Sequence, residues 1–308
     1  MPRSILLTGF GFIGRHVCVE LLGRGHRVSV LDRRPNIETA AGLGVDPVIG
    51  DVRDAALMRQ VVPCFDGVVH LAGLLGTSEL VDDPVAAVDT NIIGALNVFQ
   101  GCRTAVALGR PVSCVHITVG NHFMDNPYAI TKSTSERFAR MFNAEHGTDI
   151  RVVRVLNAYG SHQKHQPVRK IVPTFVRAAL SGEPIRIYGD GEQVMDMIDV
   201  RDVAKILVDA LLAPGIEGLL SAGTGRHLTV NEIARLIIEA AHSQSDIVHV
   251  PMRAGEPERS VVVGDPSSLE CLGVGADSLI PFEAGIAHTI AWYAGNRSFL
   301  GLNEYSAT

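Results

Sequence analysis

The 308-residue chain predicts an α/β fold, a doubly wound parallel sheet with a smaller mixed α/β lobe toward its C-terminal end. Three observations carry this expectation. Short β-branched runs alternate with longer segments of helical periodicity through the first half. Those runs are apolar throughout, as parallel strands covered on both faces are. After about residue 160 the texture changes to helical patterns broken by turns such as "YGDGEQ" and "APGIEG". The expected division is 1–160 for the sheet domain, to which later segments return, and 161–308 mainly for the lobe.

The first strand, "ILLT" (5–8), runs into "GFGFIG" and a helix over 12–24. Gly9, Gly11 and Gly14 form G-x-G-x-x-G between strand and helix. The first glycine permits the tight turn, the second close approach of a pyrophosphate, and the third tight packing of helix on strand. Phe12 and Ile13 stand in the helix's first turn, whose N-terminus faces the anion. The second strand, "RVSVL" (27–31), ends at Asp32, 18 residues after Gly14. A carboxylate there binds both ribose hydroxyls of NAD and repels the extra phosphate of NADP. Arg33 and Arg34 would tolerate that phosphate, but NAD is the expected cofactor. After the third strand, "PVI" (47–49), comes "GDVRD", where Asp51 and Val52 are expected at the adenine. Alternatively, Asp51 caps a helix over 53–61. The fourth strand, "GVVHLA" (67–72), leads through Leu71, Ala72 and Gly73, where small residues let the cofactor pass closely. His70 reads as a core histidine. A helix over 84–108 precedes the fifth strand, "VSCVHIT" (112–118), and another over 127–146 precedes the sixth, "IRVVRVL" (150–156). Beyond 160, helical patterns cover 170–181, 200–213 and 229–241, and the tail "SFLGLNEYSAT" carries no usable pattern.

Composition narrows the classes of function. A net charge of −6 gives no basic field, so nucleic acid is not an expected partner. No apolar run approaches the length that spans a bilayer, and the glycine-punctuated N-terminus reads as structure and not as a signal peptide. Five scattered cysteines without metal-ligand spacing read as buried free thiols of a reducing cytoplasm, with no metal expected.

Tyr128 and Lys132 in "PYAITK" stand at i and i+4, on one face of the helix that follows the fifth strand. An ammonium beside a phenol favours phenolate and lowers the tyrosine pKa. Facing a nicotinamide, such a pair makes a general base. Pro127 suits the helix's first turn.

In order along the chain, "TGFGFIG", "GDVRD", "HLAG", "TNIIGALNV", "YAITK", "RVLNAYG" and "IYGDGEQ" resemble the motifs of the extended short-chain dehydrogenases/reductases. The closest group is the NDP-sugar epimerases and dehydratases, and the resemblance covers nearly the whole chain. It implies a Rossmann-type sheet, a nucleotide-diphosphate sugar as substrate (a UDP-sugar first among them), and a homodimer joined through helices 84–108 and 127–146. It also implies roles for Asn91 at the active-site helix beside the cofactor, and for Asn157, Lys170 and Arg253 at the sugar diphosphate. Cations beside two phosphates make chemical sense.

Three departures from that pattern stand out. The glycine motif is one residue shorter than the group's usual form. Met195 stands before Asp196 where relatives often carry an arginine, with Arg169 or Arg259 as possible replacements. The loop before Tyr128 is trimmed, leaving Thr118 only 10 residues upstream. Thr118 is the expected catalytic hydroxyl, although an alignment one place along puts Val119 there, with Asn121 and His122 as substitutes.

These residues point to hydride transfer at a carbinol carbon, with Tyr128 taking the hydroxyl proton and Lys132 holding the nicotinamide ribose. Dehydrating relatives place an acid and a base after the Ser/Thr, and decarboxylating ones a carboxylate nearby; here Val119 and Gly120 follow. Epimerisation at carbon 4 through a transient ketone needs neither. A 4-ketoreductase or dehydrogenase of the same fold is the first alternative. A non-catalytic NAD-sensing protein is the second, and it would have no use for Tyr128 and Lys132.

Overall fold

The computed structural model describes residues 1–34, 37–253 and 256–302. A seven-stranded sheet forms its frame: β1 (Ser4–Thr8), β2 (Arg27–Asp32), β3 (Asp46–Ile49), β4 (Gly67–His70), β5 (Ser113–Val119), β6 (Asp149–Val155) and β11 (Leu219–Ala222). The strand order is β11-β6-β5-β4-β1-β2-β3, and every neighbouring pair is parallel. The chain builds outward from β1 in one direction through β2 and β3, then returns to lay β4 on β1's other side. That reversal opens a crevice at the carboxyl ends of β1 and β4, where open α/β sheets bind ligands.

Helices cover both faces, which is why the strands are apolar on both sides. On one face lie α1 (Phe12–Gly23), α2 (Ile37–Leu43) and α8 (Val200–Leu212), where Val17, Leu21, Val203 and Leu207 pack onto Leu7, Val69 and Val115. On the other lie α3 (Ala55–Val61), α5 (Gly94–Ala107) and α6 (Pro127–His146), where Met58, Val98, Phe99 and Phe142 meet Leu6, Val68 and Cys114. The single helix expected over 84–108 is interrupted. It begins as α4 (Pro84–Ala87), passes through a π-helical stretch over Val88–Ile93, and continues as α5. The wider turn places Asn91 inside, 1% exposed.

The lobe is built from β7 (Asn157–Tyr159), α7 (Ile171–Ser181), β8 (Ile185–Tyr188), β9 (Val194–Met195), β10 (Met197–Asp199), β12 (Leu228–Thr229), α9 (Val230–Ala240), β13 (Ile247–Val250), β14 (Val261–Val262) and α10 (Phe282–Gly295). A second core joins them, with Phe175, Val176, Ile187, Ile233, Ile237, Ile286 and Ile290 buried together. Sequence periodicity missed the lobe's short strands and, beyond them, three further elements. β11 is four residues of an edge strand, α2 is seven residues long, and α10 is apolar over most of its circumference, so its stripe Phe282, Ile286, Ile290 and Tyr293 does not stand out. Of the five cysteines, all free, Cys18, Cys102 and Cys114 are buried, but Cys64 and Cys271 are exposed, against expectation. Among the described residues no helix is long and apolar enough to cross a membrane.

Candidate active site

The glycine loop closes because its backbones touch. Gly9 has φ +91°, and a Cβ there would lie 2.8 Å from the backbone nitrogen of Ala72. A Cβ on Gly14 would run into the carbonyl oxygen of Gly9, so α1 is drawn against the end of β1. Gly11 caps α1 without a side chain, and a Cβ there would meet nothing within 4 Å. The first N–H groups of α1, those of Phe12 and Ile13 among them, have no intrahelical acceptor and are free to bind an anion. Asp32 closes the same loop: Phe10 N donates to it at 2.8 Å and Arg34 N at 3.0 Å. Two N–H donors leave acceptor capacity on the carboxylate for ribose hydroxyls. Glycine cradle, helix N-terminus and strand-end carboxylate fit a dinucleotide.

At Asp51 the alternative reading, a helix cap, does not hold. Asp54 caps α3, accepting from Ala56 N and Leu57 N, both at 3.0 Å. Asp51 instead pairs with Arg53 at 2.7 Å, and that guanidinium holds its carboxyl below the usual range. Val52 is buried in the core, and its carbonyl accepts from Asn97 at 3.0 Å.

The reacting centre lies at the next strand ends. Asn126 caps α6 through Ala129 N at 3.0 Å, and Pro127 opens the helix as expected. Lys132 is 3% exposed, and its Nζ donates to the carbonyl of Ile117 at 3.0 Å. A Cβ on Gly73 would come within 3.3 Å of that Nζ and 3.1 Å of Asn91 Oδ1, so Gly73, Asn91 and Lys132 meet at one point. Asn91 is fully engaged. Its Oδ1 accepts from Leu74 N at 2.7 Å, while its Nδ2 donates to Leu74 O at 3.1 Å and Thr131 Oγ1 at 3.0 Å. It fastens the chain after β4 to α6.

Burial sets the proton affinities here. It lowers the Lys132 ammonium to about 8 and raises the Tyr128 phenol above its ordinary value. The tyrosine shift runs opposite to the sequence expectation. Desolvation disfavours both charged forms, and the lysine nitrogen is committed to Ile117. His70 is a core histidine: fully buried, bonded to Thr8 Oγ1 at 2.7 Å, stacked on His116 and lowered by burial to about 3.

Thr118 is 2% exposed, and its hydroxyl donates to Glu136 at 3.4 Å. Glu136 in turn holds Arg154 through two bonds of 2.9 Å. Alternation along β5 aims Thr118 at α6, where its hydroxyl lies beside the Glu136–Arg154 ion pair. The next strand residue is Val119, and a Cβ on Gly120 would run into Leu156 Cδ1, so that leucine would have to shift. Glu136 was legible in principle, since it continues the i, i+4 series of Tyr128 and Lys132 by one more turn.

On the lobe side, Asn157 donates to the carbonyl of Asp196 at 3.1 Å. Lys170 and Arg253 come together with Arg169, Tyr188, Glu79 and Glu256. Arg169 reaches Tyr188 Oη at 2.8 Å, and Arg259 stands 3.5 Å from Asp190. A cleft of about 370 Å³ separates the trimmed lip, Phe123 to Asp125, from Glu256, Pro257, Arg259 and Ser260. Sequence reasoning missed Tyr188, Glu79 and Glu256, whose roles depend on contacts across the fold. Among the described residues no cluster is arranged to hold a metal ion.

Residues 5–217 match the NAD dependent epimerase/dehydratase family. The chain is 28% identical to the UDP-N-acetyl-alpha-D-glucosaminuronate decarboxylase of Bacillus cytotoxicus, over 83% of this chain and 85% of that one. It is 30% identical to a dTDP-glucose 4,6-dehydratase of Streptomyces antibioticus, over 96% and 94%. The crystal structure of the UDP-glucose 4-epimerase of Thermus thermophilus in complex with NAD superposes with a TM-score of 0.83 at 28% identity, covering 95% of this chain and 99% of that one. The family match spans more than half the chain, and with the glycine cradle and the Tyr128/Lys132 helix it assigns the class. The chain belongs to the NAD dependent epimerase/dehydratase family, is an extended short-chain dehydrogenase/reductase, and takes NAD as cofactor.

Proposed function

We propose that the protein epimerises a nucleotide-diphosphate sugar at carbon 4, a UDP-sugar first among the candidates, and that it works as a homodimer. The observation that supports this reaction over its relatives' is the end of β5. Val119 and Gly120 stand where a dehydratase needs an acid and a base, and a side chain at Gly120 would have to displace Leu156 Cδ1.

Bound NAD supplies the hydride acceptor and donor. Tyr128, at the start of α6, removes the proton from the sugar's 4-hydroxyl and returns it to the epimer. Lys132 is placed by Ile117 to hold the nicotinamide ribose and, when charged, to favour the phenolate. Because the Thr118 hydroxyl is committed to Glu136, the second polar contact to the sugar oxygen falls to Asn121 or His122. Asn157, Lys170 and Arg253 take the diphosphate. In the cofactor site, Asp32 selects NAD over NADP, Asp51 lies toward the adenine, and Leu71 to Gly73 pass along the cofactor.

A panel of nucleotide sugars, assayed with no cofactor added and with products separated by chromatography, tests this. Interconversion of a pair of 4-epimers is the expected result. A keto-deoxy product, carbon dioxide release, or turnover only with added NADH or NADPH contradicts it.

A further inference from the structure

Of the cations assigned to the substrate diphosphate, Arg253 already has a carboxylate partner within the chain, and Lys170 lies near two carboxylates. Arg253 pairs with Glu256, its Nε at 3.3 Å from Oε2, and its guanidinium lies 4.9 Å from the centre of the Tyr188 ring. Arg169 donates to Tyr188 Oη at 2.8 Å, and its backbone N–H donates to Glu79 Oε1 at 3.4 Å. Lys170, on the same turn, is held below its ordinary pKa mainly by burial. Glu79 and Glu256 push the other way, and Arg253 adds to the lowering. Glu256 lies three residues from Arg253, whereas Glu79 is distant in sequence from all three cations. Glu79 comes from the segment between β4 and α4, and Glu256 is bonded across the cleft to Thr77 Oγ1 at 3.3 Å. Three cations from the lobe thus face two carboxylates, with Tyr188 at the hub.

We propose that Glu79 and Glu256 are internal stand-ins for the diphosphate: they hold Arg169, Lys170 and Arg253 across the cleft until a nucleotide diphosphate displaces them. This rests on the reading of Lys170 and Arg253 as diphosphate ligands. Cations gathered without counter-charge would repel one another, so the carboxylates keep the group assembled before substrate arrives. The diphosphate then gains three preassembled cations, offset by the Arg253–Glu256 ion pair it breaks. Release of Glu256 also breaks its bond to Thr77, so diphosphate binding loosens the cross-cleft tie it replaces. The two carboxylates therefore act as positioning residues that set affinity and not rate.

Titration calorimetry on the NAD-bound full chain tests this with pyrophosphate and UDP as probes, in the wild type, E79Q, E256Q and K170M. Each glutamine variant is expected to bind pyrophosphate about twofold to fivefold more tightly, E256Q through the loss of a competing ion pair and E79Q through the loss of a nearby negative charge. K170M is expected to bind both probes more weakly. Pyrophosphate has no nucleoside, so any other contact of Glu256 with a substrate drops out of the comparison. General damage to the fold does not tighten a ligand. Equal or weaker pyrophosphate binding in both glutamine variants overturns the proposal, and leaves the diphosphate reading in place if K170M still weakens UDP. UDP binding that K170M does not change, or no UDP binding by any form, removes that reading and the proposal with it.

Discussion

Tyr128 and Lys132 share one helix face, and burial makes the phenol harder to ionise and the ammonium easier to lose. The Lys132 shift, from 10.5 to about 8, has a consequence for stability. Between these values the folded chain binds fewer protons than the unfolded one, so this residue makes stability rise with pH from about 8 to 10.5, while below 8 its full cost is present. Lys132→Met removes that dependence. Its lost bond to Ile117 is a constant offset, so the stability difference between variant and wild type should move by about 2–3 kcal/mol against the variant from pH 7 to pH 10. Urea unfolding of both proteins at the two pH values measures it, and an unchanged difference would mean that Lys132 is not desolvated. For catalysis, Tyr128→Phe should lower kcat by about 10²–10⁴, the worth of a positioned acid–base group. Thr118→Val, which removes only a contact to Glu136, should fall well short of about 10². A T118V loss as large as that of Y128F, in steady-state assays, would restore Thr118 as the catalytic hydroxyl.

Some elements are local devices and were legible as such; others are assembled from distant segments and were not. The G-x-G-x-x-G turn, Asp32 and the Tyr–Lys helix each lie in one strand–loop–helix unit, where spacing fixes geometry, and the structure holds them at the ends of β1, β2 and β5. The π-helical turn over Val88–Ile93 depends on packing that no period reports. So does the orientation of Thr118, set by a carboxylate 18 residues later in the chain. Asp196 shows the second kind most plainly. Fully buried, it accepts from Thr224 N at 2.9 Å, Gly225 N at 2.9 Å and Gly264 N at 3.0 Å, drawing two distant segments onto one carboxylate. In sequence it reads only as the aspartate after Met195. Asp196→Ala would leave three N–H groups without that acceptor, each at a cost of about 1–3 kcal/mol. A loss of at least about 3 kcal/mol is expected in chemical unfolding, and a loss under about 1 kcal/mol would show that water replaces the carboxylate without penalty.

For the whole molecule, the apolar surface of helices 84–107 and 127–146 is the feature that bears on assembly. Phe99 and Phe142, apolar residues of the same helices, are buried in the core and take no part in that surface. Val85 (65% exposed), Ile130 (49%), Val88 and Met141 remain outside on the same helices. Self-association through a two-fold axis would cover these side chains in both copies at once. Light scattering at micromolar concentration should give twice the chain's 33.0 kDa, and Ile130→Glu should shift the mass toward the monomer. A monomeric wild type would contradict the dimer. Relatives of this chain include proteins named as a 4-epimerase, a 4,6-dehydratase and a decarboxylase, so family membership alone does not choose the reaction. The choice rests on the missing acid and base at Val119 and Gly120, and its direct test is the fate of one hydrogen. A nucleotide sugar deuterated at carbon 4 should keep its label in the epimer, with no solvent deuterium entering the ring and no net NADH formed over many turnovers. Solvent deuterium at carbons 5 and 6, or a label lost to released NADH, would contradict redox-neutral epimerisation.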